Sequence, residues 1–376
     1  MSTTRIGSFN VENLFDRPKA MSHRDPSIGA PFLAAQARLN QLIQLPIYDG
    51  PVKAEMLVHL DTLGLLNSDT AEYARLRKIR GKFIQRKQNG QRLIVADGRD
   101  EWVGWIELTT EHVDALAMEH TAMVIRDVDA DVLGVVEADS RPVLRRFTEA
   151  LLAKVGYTPF DQVLLLDGND DRGIDVGMLL RRQHTLAHIR THIYERDASG
   201  VIFSRDCAEY HVDTPDGDRL VVLVNHLKSK GYASVGDPLG AKRRFRQAAR
   251  IAKIYNDLID DGFSNVAAVG DFNDDPSSDT LTTIFDRTSL RDISEHPDFD
   301  NGGRDGTYGS GKTLDDKIDY VLLSPALFAK ATGGATFRKG IWRGNRTRNP
   351  WPIYDTMTAE VHAASDHAAI YADIEW

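Results

Sequence analysis

The side chains best suited to chemistry stand in short, separate stretches of this sequence. Asp271 and Asn273 lie in Gly270-Asp271-Phe272-Asn273, and Asp366 and His367 are adjacent. Asn10, Glu137, His226 and Asp319 each sit within or just beyond an apolar run. Carboxylate and amide oxygens are the ligands a hard cation such as Mg²⁺ takes, usually with several retained waters. An Asp–His pair fixes the orientation and tautomer of an imidazole. A positioned acid or base contributes roughly 10²–10⁴-fold to a proton transfer. The set as a whole suits cation-assisted attack of a water on an ester, with protonation of the leaving oxygen.

The elements that must position these groups read as short buried strands. Apolar, β-branched-rich runs occur at Thr4–Val11, Ala130–Val136, Gln162–Leu166, Asp175–Leu180, Val201–Tyr210, Arg219–Asn225, Asn265–Val269, Ile318–Leu323 and Ala368–Ile374. Helical spacing is expected over Glu111–Asp127, Pro142–Val155 and Ala241–Ile259. Mixed strands and helices imply an α/β protein whose sheets are not purely parallel. Glu137, His226, Asp271 and Asp319 fall at strand ends, where a rigid sheet can present chemistry. Any one of them read alone is a turn residue; the whole set is hard to read that way.

The contexts resemble the endonuclease/exonuclease/phosphatase superfamily, which includes deoxyribonucleases, abasic-site endonucleases, sphingomyelinases and inositol phosphate 5-phosphatases. The matching stretches are Ser8-Phe9-Asn10-Val11-Glu12-Asn13-Leu14-Phe15, Asp131-Val132-Leu133-Gly134-Val135-Val136-Glu137, Asn225-His226-Leu227-Lys228-Ser229-Lys230, Gly270-Asp271-Phe272-Asn273-Asp274, Ile318-Asp319-Tyr320-Val321-Leu322-Leu323-Ser324 and Ser365-Asp366-His367. They occur in the family's order and span nearly the whole chain. The resemblance implies a four-layered α/β sandwich, two packed mixed sheets flanked by helices. The catalytic domain would cover residues 1–376, with a mainly helical insertion at 17–108. It implies Glu137, Asn10 and Asp366 as metal ligands, for Mg²⁺ or Mn²⁺. Asp271 would orient the attacking water, and Asn273 would steady it. His367 would meet the scissile phosphate, with Asp319 supporting a histidine or a second metal position. His226 would serve the leaving oxygen, as in deoxyribonuclease-like members; abasic-site enzymes place a tyrosine there. Arg172, in Asp171-Arg172-Gly173-Ile174-Asp175, and Lys228 would bind substrate, with Asp175 as a brace.

Other signals are softer. Gly306-Thr307-Tyr308-Gly309-Ser310-Gly311-Lys312-Thr313 has the spacing of a phosphate loop, but no strand precedes it and no helix follows, so it reads as a Gly-rich loop. The insertion is expected to hold helices at Ala54–Leu66 and Ala71–Lys87. The second carries Arg75, Arg77, Lys78, Arg80, Lys82, Arg86 and Lys87, with Arg92 beyond it. No acid falls between Glu72 and Asp97. A solvated face and a clamp on a nucleic-acid backbone both fit that run. Lys242, Arg243, Arg244 and Arg246 open a further helix, at least partly as surface. The stretch from Arg338 to Trp351, with Lys339, Trp342, Arg343, Arg346 and Arg348, interleaves cations with tryptophan, which suits a polynucleotide or a lipid surface.

Bulk composition bounds these readings. The chain has 376 residues, 42% hydrophobic and 27% charged, an ordinary globular balance. Its net charge of −9 weighs against a nucleic-acid partner without excluding a local basic rim. The single cysteine, Cys207, rules out an internal disulfide and reads as a buried thiol in a reducing compartment. With no secretory or membrane-spanning segment legible, the expected place is the cytoplasm. The leading expectation is a metal-dependent nuclease on DNA, with RNA second. A phosphoesterase on a lipid headgroup or small phosphate ester follows, then a catalytically inactive nucleic-acid-binding module.

Overall fold

A computed structural model describes residues 2–14, 18–21, 26–110, 114–170, 173–231, 236–309, 316–344 and 351–376. The chain forms two compact units, one of Met1–Phe15 with Val113–Trp376, the other of Asp16–His112.

The larger unit is built on strands β1 (Thr3–Leu14), β2 (Val132–Ala138), β3 (Gln162–Leu166), β4 (Asp175–Leu180), β5 (Thr185–Arg190), β6 (Cys207–Asp213), β7 (Arg219–His226), β8 (Val266–Asp271), β9 (Arg291–Asp292), β10 (Phe299–Asp300), β11 (Asp319–Leu323), β12 (Ala331–Phe337) and β13 (Ala369–Glu375). A seven-stranded sheet runs β10-β12-β13-β1-β2-β4-β3, and a six-stranded sheet runs β9-β11-β8-β7-β6-β5. Both are mixed. β1 pairs parallel with β2 and antiparallel with β13, and β8 pairs parallel with β7 and antiparallel with β11.

Side-chain alternation divides each strand between two layers. Ile6, Val132, Val136 and Ile370 of the first sheet meet Leu220, Val222, Val224, Val269 and Val321 of the second in a shared apolar core. On the outer face of the first sheet, Leu133 and Val135 pack against Val124, Ile125 and Val128 of helix Ala115–Val128. On the outer face of the second, Val221, Leu223 and Ala268 pack against Ile251, Tyr255 and Leu258 of helix Ala241–Asp260. The result is helix, sheet, sheet, helix. Gly134 marks the closest approach of the sheets: a Cβ there would lie 2.8 Å from Val269 Cγ2. Cys207 is fully buried in the outer layer under helix Ala241–Asp260, and its strand begins later than the run Val201–Tyr210 suggests.

The smaller unit has its own core, including Leu39, Leu42, Met56, Leu60, Phe83, Trp102 and Ile106. Helices Pro26–Ile43 and Gly50–Thr62 contribute to it. The second of these starts early because the Asp49 carboxylate accepts from Val52 N at 2.9 Å. The helix expected over Ala71–Lys87 is not formed. Ala74–Arg80 is a strand paired antiparallel with Val103–Leu108, and Ile84–Arg86 pairs with Arg92–Ile94. The stripe Leu76, Ile79, Phe83 fits a 3.6-residue period, but Ile79 is 70% exposed while Ala74 is buried. Cross-strand pairing overrides the local pattern here. Among the described residues, no helix is long and apolar enough to cross a membrane.

Candidate active site

The two sheets bring their polar strand ends to one place. β7 and β8 run parallel, and β11 runs back beside β8. His226 therefore pairs with Asp271, and Asp271 with Asp319, in a single cross-strand row. All three continue the inward-facing parity of Val224, Val269 and Val321, so the row faces the first sheet. Asn10 continues the parity of Ile6 on β1 and faces it from the other side.

Glu137 does not follow that rule. By parity with Leu133 and Val135 it would face the outer helices. The β2 register shifts between Val136 and Ala138, and Glu137 adopts φ +66°. Such a bulge re-aims a side chain, and the Glu137 Oε1 lies 3.6 Å from His226 Nε2. Gly270 (φ +133°) lets β8 run close against β7 just before Asp271: a Cβ there would lie 1.9 Å from the Asn225 carbonyl oxygen.

Hydrogen bonds knit the centre. Asn10 Nδ2 donates to Asp271 Oδ2 at 3.3 Å and lies 3.3 Å from His367 Nε2. His367 Nδ1 donates to Asp319 Oδ2 at 2.9 Å, so the histidine that Asp319 serves is His367. Asp366 Oδ1 lies 3.7 Å from His367 Nε2. Asn273 N donates to Asp271 Oδ1 at 2.8 Å, and its Nδ2 donates to Asp271 Oδ2 at 3.0 Å and to the Leu227 carbonyl at 3.1 Å. His226 Nε2 lies 3.4 Å from Asp271 Oδ2.

Burial of like charges dominates the electrostatics. The Asp271 carboxyl is pushed up to about 7 by burial, opposed by His367 and reinforced by Asp319. His367 is held well above the usual imidazole range: burial works against its charge, and Asp319, Asp366 and Asp271 outweigh it.

Residues beyond those singled out in the sequence also belong here. Glu12 (φ +36°) accepts from Asp366 N at 3.0 Å. Its carboxyl is pushed up to about 7 by burial and by Asp366. The Tyr308 ring lies 4.8 Å from that of His367, centroid to centroid. Its hydroxyl is pushed up to about 12 by burial and the surrounding carboxylates. The buried Thr307 hydroxyl accepts from Ile318 N at 3.1 Å and Asp319 N at 3.0 Å, fixing the start of β11. Within the phosphate-loop look-alike, therefore, the described residues brace the site; Lys312 lies outside the described residues.

The peripheral residues divide. Lys228 follows His226, with its N–H bonded to Gln247 Oε1 at 2.8 Å and its carbonyl to Arg244 Nη1 at 2.7 Å. Trp342 is half-buried against the outer core of the first sheet, and Arg343 donates to the Trp351 carbonyl at 3.3 Å. Among the described residues no hydrogen bond or ion pair joins Trp342 or Arg343 to the constellation. Trp351 is buried, its Nε1 donating to the Ile341 carbonyl, so its ring is not a free stacking surface. Arg172, Arg346 and Arg348 lie outside the described residues. Arg244 turns inward to Asp274 at 2.8 Å, and Arg246 pairs with Asp197, so this basic run braces the fold.

The donor set fits a hard divalent cation. Glu12, Glu137, Asp271, Asp319 and Asp366 converge with two histidines and two amides, an excess of acceptor oxygens over donors. Asp271, Asp319 and His367 each offer a ligand atom, all within 4.8 Å of one another.

An architecture of two mixed sheets between helices, with carboxylates and histidines meeting at the strand ends, is that of a phosphoesterase. A profile of the Endonuclease/Exonuclease/phosphatase family matches residues 95–299, a span that includes Glu137, His226, Asp271 and Asn273. The chain belongs to that family. Similar solved structures include a family member from Bacteroides thetaiotaomicron, with a TM-score of 0.51 and 16% identity over 69% of this chain and 88% of that one. A mannosyl-6-phosphatase from the same organism also has a TM-score of 0.51 and 16% identity, over 69% of this chain and 91% of that one. At that identity the likeness is one of fold. No curated protein sequence matches the chain.

Proposed function

We propose that the chain is a divalent-metal-dependent phosphodiesterase acting on nucleic acid, DNA before RNA. The supporting observation is the meeting of the His226–Asp271–Asp319 row with Asn10, Glu137 and His367 across the sandwich. Glu137, Asn10 and Asp366, joined by Glu12, would hold Mg²⁺ or Mn²⁺, which supplies positive charge at the phosphate oxygens. Asp271 orients the attacking water and takes its proton. Asn273, tied to Asp271 through both its nitrogens, keeps the carboxylate in place and so steadies the water that Asp271 holds. His367, aligned by Asp319, contacts a phosphate oxygen as a cation. His226, beside Glu137 and Asp271, passes a proton to the leaving oxygen. Lys228 and Arg172 neutralise flanking phosphates, and Trp342 and Arg343 would act only on substrate that extends beyond the reacting phosphate. The buried lone cysteine accords with action inside the cell.

Supercoiled DNA, single-stranded DNA, RNA, sphingomyelin and phosphoinositides, each with Mg²⁺, Mn²⁺ or EDTA, provide the test. Nicking of DNA is expected with metal, lost in EDTA and reduced roughly 10²–10⁴-fold in Asp271→Asn. Metal-dependent cleavage of lipid with every nucleic acid untouched would reject the substrate class. No cleavage of any phosphoester would reject the activity.

A further inference from the structure

The smaller unit carries a surface that the catalytic reading does not use. Strands Ala74–Arg80 and Val103–Leu108 form a two-stranded ribbon with Arg75 opposite Glu107 and Arg77 opposite Trp105. Ala74, Gly104 and Ile106 turn inward; Arg75, Arg77 and Trp105 turn out. Trp105 is 41% exposed, unusual for an indole with no role in a core. Beyond the register shift Arg80 pairs with Val103 and is exposed on the same face, whereas Lys78, opposite Gly104, projects from the other. In a chain of net charge −9, the stretch from Glu72 to Asp97 has no acid between its ends.

At the Arg75 end the ribbon borders a cleft of about 480 Å³ walled by Lys19, Glu72, Arg75, Arg77, Glu107 and the Leu108–Thr110 segment. The carboxylates there are engaged: Glu72 with Lys19 at 3.0 Å, Glu107 with Arg77 at 2.6 Å. Exposed pairs of this kind are weak and exchange readily for a phosphate. The Thr109 hydroxyl oxygen is buried in this wall and has no hydrogen-bond partner among the described residues.

We propose that this face binds single-stranded nucleic acid, with phosphates along Arg75, Arg77 and Arg80, a base stacked on Trp105, and a phosphate or nucleotide in the cleft beside Thr109. Charge complementarity selects a polyanion, and cations flanking an exposed aromatic are the means by which such strands are held without sequence preference. Basic residues beside tryptophan also suit an anionic bilayer, but the adjoining cleft, walled by charges and hydroxyls, favours a chain of phosphates. Same-face residues of a strand stand about 7 Å apart, so the arginines form a row that a backbone can follow. The inference deepens the substrate side of the proposed function. It is tested by binding without cleavage, so the two can fail separately.

Fluorescence anisotropy of a labelled oligothymidylate in EDTA measures it, with vesicles of phosphatidylcholine and phosphatidylserine as the second arm. The triple variant Arg75→Glu, Arg77→Glu, Arg80→Glu, its fold checked by circular dichroism, should weaken oligonucleotide binding at least tenfold. It should also lower the slope of log affinity against log salt by about 2, roughly 0.7 per lost contact. Trp105→Ala should weaken binding about fivefold or more with the slope unchanged, and Trp105→Phe should restore most of it. Equal affinity and slope in the charge variant would overturn the proposal. So would binding to vesicles, but not to the oligonucleotide, that depends on these residues.

Discussion

The Asp319–His367 pair makes the sharpest demand on the proposed chemistry. Both side chains are buried, and His367 Nδ1 meets the two Asp319 oxygens at 3.1 and 2.9 Å. Removing one partner of a buried pair typically costs about 3–5 kcal/mol, because the other charge is left unmatched. Asp319→Asn keeps the shape and removes the charge that, with Asp366 and Asp271, holds His367 protonated. If His367 acts on the phosphate only as an imidazolium held by Asp319, each single variant should lose roughly a thousandfold in kcat, about 4 kcal/mol in the barrier. A double-mutant cycle with His367→Gln separates the alternatives. Two residues acting as one unit give a double variant hardly slower than either single, a coupling of about 4 kcal/mol. Independent residues give losses that multiply to about a millionfold. The assay is metal-dependent hydrolysis of bis-p-nitrophenyl phosphate, followed in parallel with thermal melting to show that each variant is folded. Multiplicative losses would refute the reasoning, as would an Asp319→Asn variant of normal kcat.

Three further outcomes are expected. Thr307→Val leaves the N–H groups of Ile318 and Asp319 without their acceptor. At about 1–3 kcal/mol per unsatisfied buried group, it should lower the melting temperature and kcat together, with Thr307→Ser restoring both. Gly134→Val places atoms within 2.8 Å of Val269 and should cost about 1–3 kcal/mol in urea unfolding as the sheets are forced apart. Glu209 is buried between His192 (3.0 Å) and His211 (2.7 Å). Burial opposes its charge, but the histidines and Arg190 win and lower its carboxyl to about 2. A depressed acid stabilises the fold fully above its unfolded value near 4.5 and loses that contribution as pH falls towards 2. The linked stability is about 3 kcal/mol. Glu209→Gln should therefore flatten the fall in stability across that window, and an unchanged acid-unfolding profile would contradict the assignment.

Much of the site was legible in the sequence because strand ends announce themselves. Apolar runs that stop at His226 and Asp271, and one that starts at Asp319, give both the element and the residue it presents, and period-two alternation then fixes the face. Departures from that periodicity were not legible. Nothing in Val132–Ala138 signals the bulge that turns Glu137 round. Glu12 lies two residues from Asn10, yet its approach to Asp366 depends on a positive φ that glutamate rarely adopts. Thr307 and Tyr308 were hidden inside a pattern associated with other chemistry. The basic stretches misled for a different reason. Charge in a sequence carries no direction, so Arg244, buried against Asp274, looked like the exposed Arg75. In Ala74–Arg80 the decisive partner, Val103–Leu108, is remote in sequence, and only local periodicity could be weighed.

The three positive φ values at Glu12, Glu137 and Asn273 also bear on how this protein responds to selection. Each non-glycine residue in such a conformation is held there by its surroundings at a cost of about 1–3 kcal/mol. The corner that carries the chemistry is therefore also one where the backbone would gain by change. A library screened for heat resistance alone should enrich glycine at 137 and 273, and the variants so recovered should be the more durable and the less active. Robustness and turnover are set against each other at the same few peptide units.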